Sequence, residues 1–375
     1  MQDLLKKPNF DYSLLCVLLY EYVFGHGLRS VNKLYSAPIL QRAAYIDQQL
    51  ETVKAVDRVE ESDAQQCSAA ALYPRYARIN TLRWSVDDAL KALQDEGWIV
   101  SNMKSQEDTN WYRNAVASMT ECQVYIDNHI RTLLLFPPNT DLHDHWMVVD
   151  GYLMLQDKAS CLPGQILKPK SGSQIFDVCA APGMKSTHLA AVLRNEGKIW
   201  AIDRDSDRVK TMRKIVNRAG ATCISILHGD FLRIDVTDRK FSEVHYALVD
   251  PPCSGSGIVK RMDELTDDNE AKNFKRLQSL SNLQAMLLKH TMKLPNLKKV
   301  VYSTCSIYEE ENEKVVEEIL SDELLSEQFE LACAMPKWPH RGKPEYPFGD
   351  KCLRASSDLD LSNGFFVALF KRRKK

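Results

Sequence analysis

The chain has 375 residues, 44% of them apolar, and a formal net charge of −1. That is enough apolar material for cores in two or three domains, and it excludes a chain of disordered composition. Near-zero net charge gives no field that predicts nucleic acid or membrane as a partner, so either must be met by a local patch.

The N-terminal stretch "MQDLLKKPNFDYSLLCVLLYEYVFGHG" has a short apolar run, interrupted by Glu21, without a small-residue cleavage site. Neither a signal peptide nor a membrane span is expected there. Leu14, Leu15, Leu18, Leu19, Tyr22 and Val23 recur at helical spacing over 11–24, and Gly25 and Gly27 end the run. A second amphipathic helix is expected over 39–60, then a small, polar linker, "ESDAQQCSAA", over 61–70. In "YPRYARINTLRW" (73–84), Arg75, Arg78 and Arg83 interleave with Tyr73, Tyr76 and Trp84. This pattern suits contact with phosphates and bases, and equally an amphipathic strand with solvated arginines. A helix over 85–98 and a strand entering a Pro-Pro turn over 132–142 follow. "DLHDH" (141–145) sets His143 and His145 two apart. Two histidines are too few for a ligand set, and no metal is expected.

From residue 173 strands alternate with helices: strands at 173–180, 198–205, 223–231, 245–250 and 298–306, and helices at 185–197, 206–220 and about 270–294. "EEENEKVVEEILSDEL" reads as another helix and "GFFVALFKRR" as a closing strand. Such alternation predicts an α/β fold with a parallel, doubly wound sheet. The tail "KRRKK" reads as a nuclear or nucleolar address, a phosphate contact or a frayed end. The ten cysteines are scattered without a C-x-x-C pair, which suits free thiols in a reducing compartment.

In a doubly wound sheet, ligands sit beyond the carboxyl ends of the strands. The first strand runs into "DVCAAPGMK". Its small turn, Ala180-Ala181-Pro182-Gly183, brings backbone close to a ligand and offers amides to it. The stretch matches neither the dinucleotide fingerprint nor a P-loop, because Lys185 lacks the required glycine spacing. The second strand ends at Asp203, placed to accept from ribose hydroxyls, and Asp230 follows the third, placed to accept from an adenine amino group. Ribose and adenine acceptors without a phosphate cradle fit S-adenosylmethionine better than a dinucleotide.

"DVCAAPGMK", "AIDRD", "LVDPPCSGSG" and "YSTCS", in that order, resemble the motifs of the RNA cytosine-C5 methyltransferases of the Nop2/Sun (Fmu-type) family. The phrases "FPPNTDLHDH", "LQDKASCLPG", "WPHRG" and "CLRASSDLDLSNGFFVALF" are most similar to its fifth Sun-domain subfamily, whose members methylate large-subunit ribosomal RNA. The resemblance spans roughly residues 72–370. It implies a Rossmann-like class I S-adenosylmethionine-dependent methyltransferase domain over 151–375. A small α+β RNA-contacting subdomain over 71–150 and an N-terminal helical region over 1–70 would precede it. It also implies that Cys179, Ala180, Ala181, Pro182, Gly183, Met184 and Lys185 line the cofactor, that Asp203 and Asp230 hold its nucleoside, and that Asp250 lies between cofactor and base. Expected partners are RNA, in particular large-subunit rRNA or a pre-ribosome, with no membrane and no metal. The expected location is the nucleus or nucleolus. Met184 stands where the family usually has a second glycine, which weakens any need for positive φ there, and the N-terminal helical region looks shorter than the subfamily's.

Carbon 5 of cytosine is too electron-poor to take a methyl group directly; a thiolate adding to carbon 6 activates it. Cysteine suits this because local charges and dipoles lower its pKa. Asp250 is placed to bond the ring at N3 and the exocyclic amine. The target must also be unstacked to enter the pocket. Chemistry alone does not rank Cys253 against Cys305. The resemblance implies Cys305 as nucleophile and Cys253 as the helper in adduct breakdown. Lys158, in "LQDKAS", is a candidate to meet phosphate or orient Asp250. Two rival readings stand beside this one. An amino-group N-methyltransferase would carry an aromatic after Asp-Pro-Pro, where this chain has Cys253. A non-catalytic RNA-binding scaffold would use the basic-aromatic stretch and the tail.

Overall fold

The structure is a computed structural model that describes residues 10–23, 27–28, 31–50, 73–103, 109–258 and 270–374. The chain forms two compact units, Met1–Ser68 and Ala69–Lys375. In the first, α1 (Tyr12–Val23) and α2 (Lys33–Leu40) are followed by a helical stretch over 43–50. Leu15 and Leu18 of α1 bury against Ile39, Ile46, Phe10 and Leu28. The helix expected from residue 39 is thus two pieces, and it begins earlier: Asn32 caps Lys33–Leu40 by accepting from the Leu34 amide. The remainder of that expectation, 51–60, and the linker over 61–70 lie outside the described residues.

The second unit begins with a five-stranded sheet. Its elements are β1 (Arg75–Ile79), α3 (Val86–Asp95), β2 (Ile99–Asn102), α4 (Thr109–Ala117), β3 (Gln123–Ile126), β4 (Leu133–Phe136) and β5 (Leu153–Leu155). The strand order is β2-β3-β4-β1-β5, with all neighbours antiparallel except β2 and β3. Strand period sends alternate side chains to opposite faces. Ala77 and Ile79 pack under α3 with Ala89 and Leu93. Tyr76 faces the other way, into a core shared with Ala180, Leu189 and Met212. The small sheet is therefore docked on the larger domain through one face of β1. Because β5 pairs with β1, this subdomain continues to residue 155, and the boundary expected at 150 falls one strand early.

The larger sheet and its helices follow: α5 (Lys158–Leu167), β6 (Gln174–Val178), α6 (Met184–Leu193), β7 (Lys198–Asp203), α7 (Ser206–Ala219), β8 (Ile224–His228), β9 (Val244–Val249), α8 (Glu270–Met292), β10 (Lys299–Thr304), α9 (Glu313–Ser321), β11 (Phe329–Ala332), β12 (Leu353–Ala355) and β13 (Phe365–Arg372). The sheet order is β11-β13-β10-β9-β6-β7-β8, with β12 on β13. Strands β6 to β10 are parallel and β13 is antiparallel to β10. Both faces are covered, so the strands are apolar throughout. Ile175, Leu248, Val301 and Leu369 pack on the side of α5, α6 and α7. Phe176, Val249, Tyr302 and Phe370 pack on the side of α8 and α9.

Two local expectations change. The helix after β6 stops at Leu193 rather than Gly197, because Arg194 and Asn195 both turn left-handed. The tail is not frayed through Arg373: Arg372 donates to the Leu297 and Leu294 carbonyls at 2.6 and 3.2 Å, and Arg373 donates to that of Ser326 at 3.0 Å. Among the described residues no helix is long and apolar enough to cross a membrane.

Candidate active site

Parallel neighbours end side by side, so the register of the large sheet brings the carboxyl ends of β7, β6, β9 and β10 together. Val178 lies beside both Ile202 and Val249, and Val249 lies beside Tyr302. The residues that leave these strands, Asp203, Cys179, Asp250 and Cys305, therefore share one cleft although 126 positions of sequence separate the first and last in chain order (305 − 179).

The β6–α6 loop is held by its own hydrogen bonds. The Ala180 amide donates to Ile202 O at 2.9 Å, the Ala181 amide to Asp203 Oδ2 at 3.1 Å, and the Gly183 amide to Ala180 O at 2.8 Å. These three amides are engaged within the protein, which corrects the expectation that the turn offers them to a ligand. Gly183 has φ 101°, and a Cβ there would stand 2.9 Å from Met212 Cγ. The positive φ falls on Gly183 and not on Met184, which opens α6 in helical conformation and needs no glycine. Cys179 also turns left-handed, and burial followed by the Asp203 and Asp250 carboxylates pushes its thiol up to about 12, away from the thiolate form.

Beyond β7 and β8 lies a cavity of about 210 Å³ lined by Asp203, Asp230, Phe231, Pro252, Leu283 and Leu287, among others. Asp203 is 4% exposed. Its Oδ1 accepts from the Asp205 amide at 3.0 Å and its Oδ2 from Ala181 at 3.1 Å, so the carboxylate is fixed with lone pairs to spare. Asp230 caps a short helical turn by accepting from Leu232 N at 3.0 Å, and its side chain stays 44% exposed. Fixed carboxylates at one end and Phe231, Leu283 and Leu287 as apolar walls fit a nucleoside with vicinal hydroxyls and an amino-bearing ring. That donor set fits S-adenosylmethionine. Sequence reasoning missed the walls: Leu283 and Leu287 lie on α8, whose apolar residues read as ordinary core.

At the other end of the cleft, Lys185 Nζ donates to Asp250 Oδ2 at 2.7 Å, and Ser303 Oγ donates to Asp250 Oδ1 at 2.8 Å. Burial alone would depress the Lys185 ammonium; Asp250 beside it reverses this and holds it above the ordinary lysine value. Asp250 is thus oriented by Lys185 and Ser303, and not by Lys158. Cys253 and Cys305 are in contact, Sγ to Sγ 3.2 Å, and both are half-buried. Either sulfur can donate across this contact; with Cys253 as the donor, the bond holds Cys305 below the ordinary thiol range against burial and Asp250, and the Lys185 charge adds to the effect. Cys253 is pushed the opposite way by that same bond, then by burial, the Cys305 charge and Glu311.

The expected RNA contacts divide. Arg75 is at a groove of about 690 Å³ with Tyr73, Asn139, Thr140, Asn363 and His143, and its Nη2 lies 3.1 Å from His143 Nε2. Arg83 is exposed and donates to Arg218 O at 2.8 Å. Arg78 and Lys158 are corrections, for they are buried at 1% and 2% exposure. Arg78 shares the inward face of β1 with Tyr76 and donates to Gln156 Oε1 at 2.7 Å and to Thr187 Oγ1 at 3.2 Å. Lys158 pairs with buried Asp127 at 2.7 Å, between the rings of Tyr112 and Trp338. Removing one partner of a buried pair strands the other charge, so Lys158→Ala is expected to cost about 3–5 kcal/mol in urea unfolding. RNA affinity of the remaining folded protein should stay unchanged. His143 and His145 do not converge: His143 Nδ1 meets Asp141 at 2.9 Å and His145 Nε2 meets Glu96 at 3.1 Å. Among the described residues no group of three or more His, Cys, Asp or Glu is placed to hold a metal ion.

Sheet order and strand-end site together define a Rossmann-like class I methyltransferase. The family model described as 16S rRNA methyltransferase RsmB/F matches residues 164–371. That described as NOL1/NOP2/Sun domain family member 5, ferredoxin-like domain, matches residues 73–156. The chain is 45% identical over 372 residues to the 26S rRNA (cytosine-C(5))-methyltransferase nsun-5 of Caenorhabditis elegans, covering 96% of this chain and 82% of that protein. It is 38% identical over 362 residues to the 28S rRNA (cytosine-C(5))-methyltransferase of Mus musculus, covering 95% and 76%. A solved methyltransferase homologue from Pyrococcus horikoshii superposes with TM-score 0.59 at 27% identity, covering 80% of this chain and 87% of that one. The chain belongs to the RsmB/F methyltransferase family and carries the ferredoxin-like domain of its NOL1/NOP2/Sun member 5 branch.

Proposed function

We propose that this protein is an S-adenosylmethionine-dependent RNA (cytosine-C5) methyltransferase that forms 5-methylcytosine in large-subunit rRNA. The observation that carries the chemistry is the pair of touching thiols, Cys253 and Cys305, beside Asp250 at the end of the cofactor cleft. Amino-group methylation gives two such sulfurs no task, since nitrogen is already nucleophilic.

Asp203 and Asp230 would hold the cofactor nucleoside against Phe231, Leu283 and Leu287. When bound there, the cofactor supplies an electrophilic methyl group. Asp250, held by Lys185 and Ser303, presents a fixed carboxyl group to the pyrimidine edge. The Cys305 thiolate forms a bond to C6, and the C5–C6 electron pair moves to C5, which becomes nucleophilic. After C5 carries its methyl group, the C5 proton leaves to a base, the C5–C6 double bond re-forms, and the C6–S bond breaks with its electron pair returning to Cys305. The Cys253 S–H, at 3.2 Å, is placed to donate to the departing sulfur. Charge supports this order of roles: Asp250, which opposes a thiolate at Cys305, is paired with Lys185, while Glu311 opposes one at Cys253 with neutral donors alone beside it.

The groove beside Arg75 and Tyr73 is the candidate path for RNA, with a pre-ribosome as the particle that presents it and the nucleolus as the place of action. Bisulfite mapping of rRNA from cells with and without this protein tests the reading. One large-subunit cytosine should lose its methylation when the protein is removed. An unchanged large-subunit map, or a lost mark on an amino nitrogen, overturns it.

A further inference from the structure

Glu311 lies six residues past Cys305 and is 0% exposed. A buried carboxylate is expensive unless a cation or several donors compensate it. Among the described residues no lysine, arginine or histidine pairs with Glu311; hydrogen-bond donors stand in for one. Its Oε1 accepts from the Ser254 amide at 2.8 Å and from Gln284 Nε2 at 3.0 Å, and its Oε2 accepts from Ser254 Oγ at 2.6 Å. Ser254 is the neighbour of Cys253. The same Gln284 amide donates to Pro252 O at 3.0 Å, on the other side of Cys253. Tyr302 OH, from the strand that delivers Cys305, donates to Glu311 O at 2.5 Å. The Cys253 turn is thus clasped on both flanks to the loop that follows Cys305.

A neutral side chain of the same shape would make the clasp without burying a charge. The clasp does not by itself require the charge, and that charge also acts on Cys253. Two sulfurs at 3.2 Å share one proton when one of them is a thiolate. On the Cys305 side the Asp250 carboxylate is paired with Lys185 at 2.7 Å, whereas on the Cys253 side Glu311 is met by neutral donors alone, an asymmetry that favours the proton on Cys253.

We propose that Glu311 is a positioning residue for the thiol pair: its buried carboxylate clasps the Cys253 turn and keeps negative charge off Cys253, so that the proton rests there and Cys305 carries the thiolate. This rests on the reading of Cys305 as nucleophile. Glu311 is fully buried and acts through Cys253.

The test is alkylation of the full chain by iodoacetamide, without RNA or cofactor, with modification at Cys253 and Cys305 followed separately by mass spectrometry from pH 6 to pH 9. Glu311→Gln keeps the shape and removes the charge, and the ratio of Cys253 to Cys305 rates at pH 7.5 should rise by about tenfold. Glu311→Asp keeps the charge and shortens the clasp, and its ratio should stay within about threefold of the wild type. Equal rises in both variants, or no rise in Glu311→Gln, overturn the proposal. If Glu311→Gln does not fold, the wild-type profile decides: Cys253 must react at least about tenfold more slowly than Cys305, and equal rates overturn it. Trapping with 5-fluorocytosine RNA separates the two claims. A wild-type adduct on Cys305 with unchanged alkylation ratios defeats only the role of Glu311. An adduct on Cys253 defeats the assignment of the nucleophile itself.

Discussion

Replacing Cys305 with alanine is expected to lower methyl transfer by at least about three orders of magnitude and to abolish covalent attachment of RNA. Cofactor affinity should stay near the wild-type value, because the sulfur lies at the Asp250 end of the cleft and not among the walls of the nucleoside cavity. Cys253→Ala is expected to differ in kind. Attack on C6 persists, but the departing sulfur loses its hydrogen-bond donor, so a protein–RNA adduct accumulates and turnover falls. Denaturing gels of each variant mixed with RNA and cofactor distinguish the two: no slow-migrating band for Cys305→Ala, a strong one for Cys253→Ala. If Cys253→Ala instead prevents the band, the roles are reversed.

The second large effect is expected at Asp203. Hydrogen bonds to a charged group contribute about 1.5–3 kcal/mol each. Asp203→Ala removes the acceptor proposed for the ribose hydroxyls and should weaken S-adenosylmethionine binding roughly 10- to 100-fold by titration calorimetry. The same substitution frees the Ala181 and Asp205 amides, so the β6–α6 loop loosens as well. Asp203→Asn retains one acceptor oxygen and should fall between alanine and wild type. Binding at wild-type strength in Asp203→Ala would place the nucleoside elsewhere.

Much of the site was legible because parallel strands put their chemistry at predictable places. Apolar runs ending in Asp203, Cys179, Asp250 and Cys305 announce strand ends, and strand ends of a doubly wound sheet converge. What sequence cannot give is direction for a side chain on a short strand. In "YARI", Tyr76 and Arg78 alternate with Ala77 and Ile79, but both faces of β1 are covered. An arginine that reads as a phosphate contact is spent on Gln156 and Thr187 instead. Lys158 misleads for the same reason: its partner Asp127 lies 31 positions away (158 − 127) on another element. Glu311 was hidden in the run "EEEN", which reads as a solvated helix start, and nothing local separates the one buried glutamate from Glu309 and Glu310 beside it. The short strands β2, β3 and β5 escaped notice because three or four residues give too little alternation to see.

The nucleophile itself can be read from one covalent product. RNA carrying 5-fluorocytosine at the target position blocks the loss of the C5 substituent, so the bond between sulfur and C6 cannot be undone. After incubation of the wild-type protein with this RNA and S-adenosylmethionine, digestion and peptide sequencing by mass spectrometry locate the modified residue. The expected result is a single pyrimidine adduct on Cys305; an adduct on Cys253, or methylation without any adduct, contradicts it.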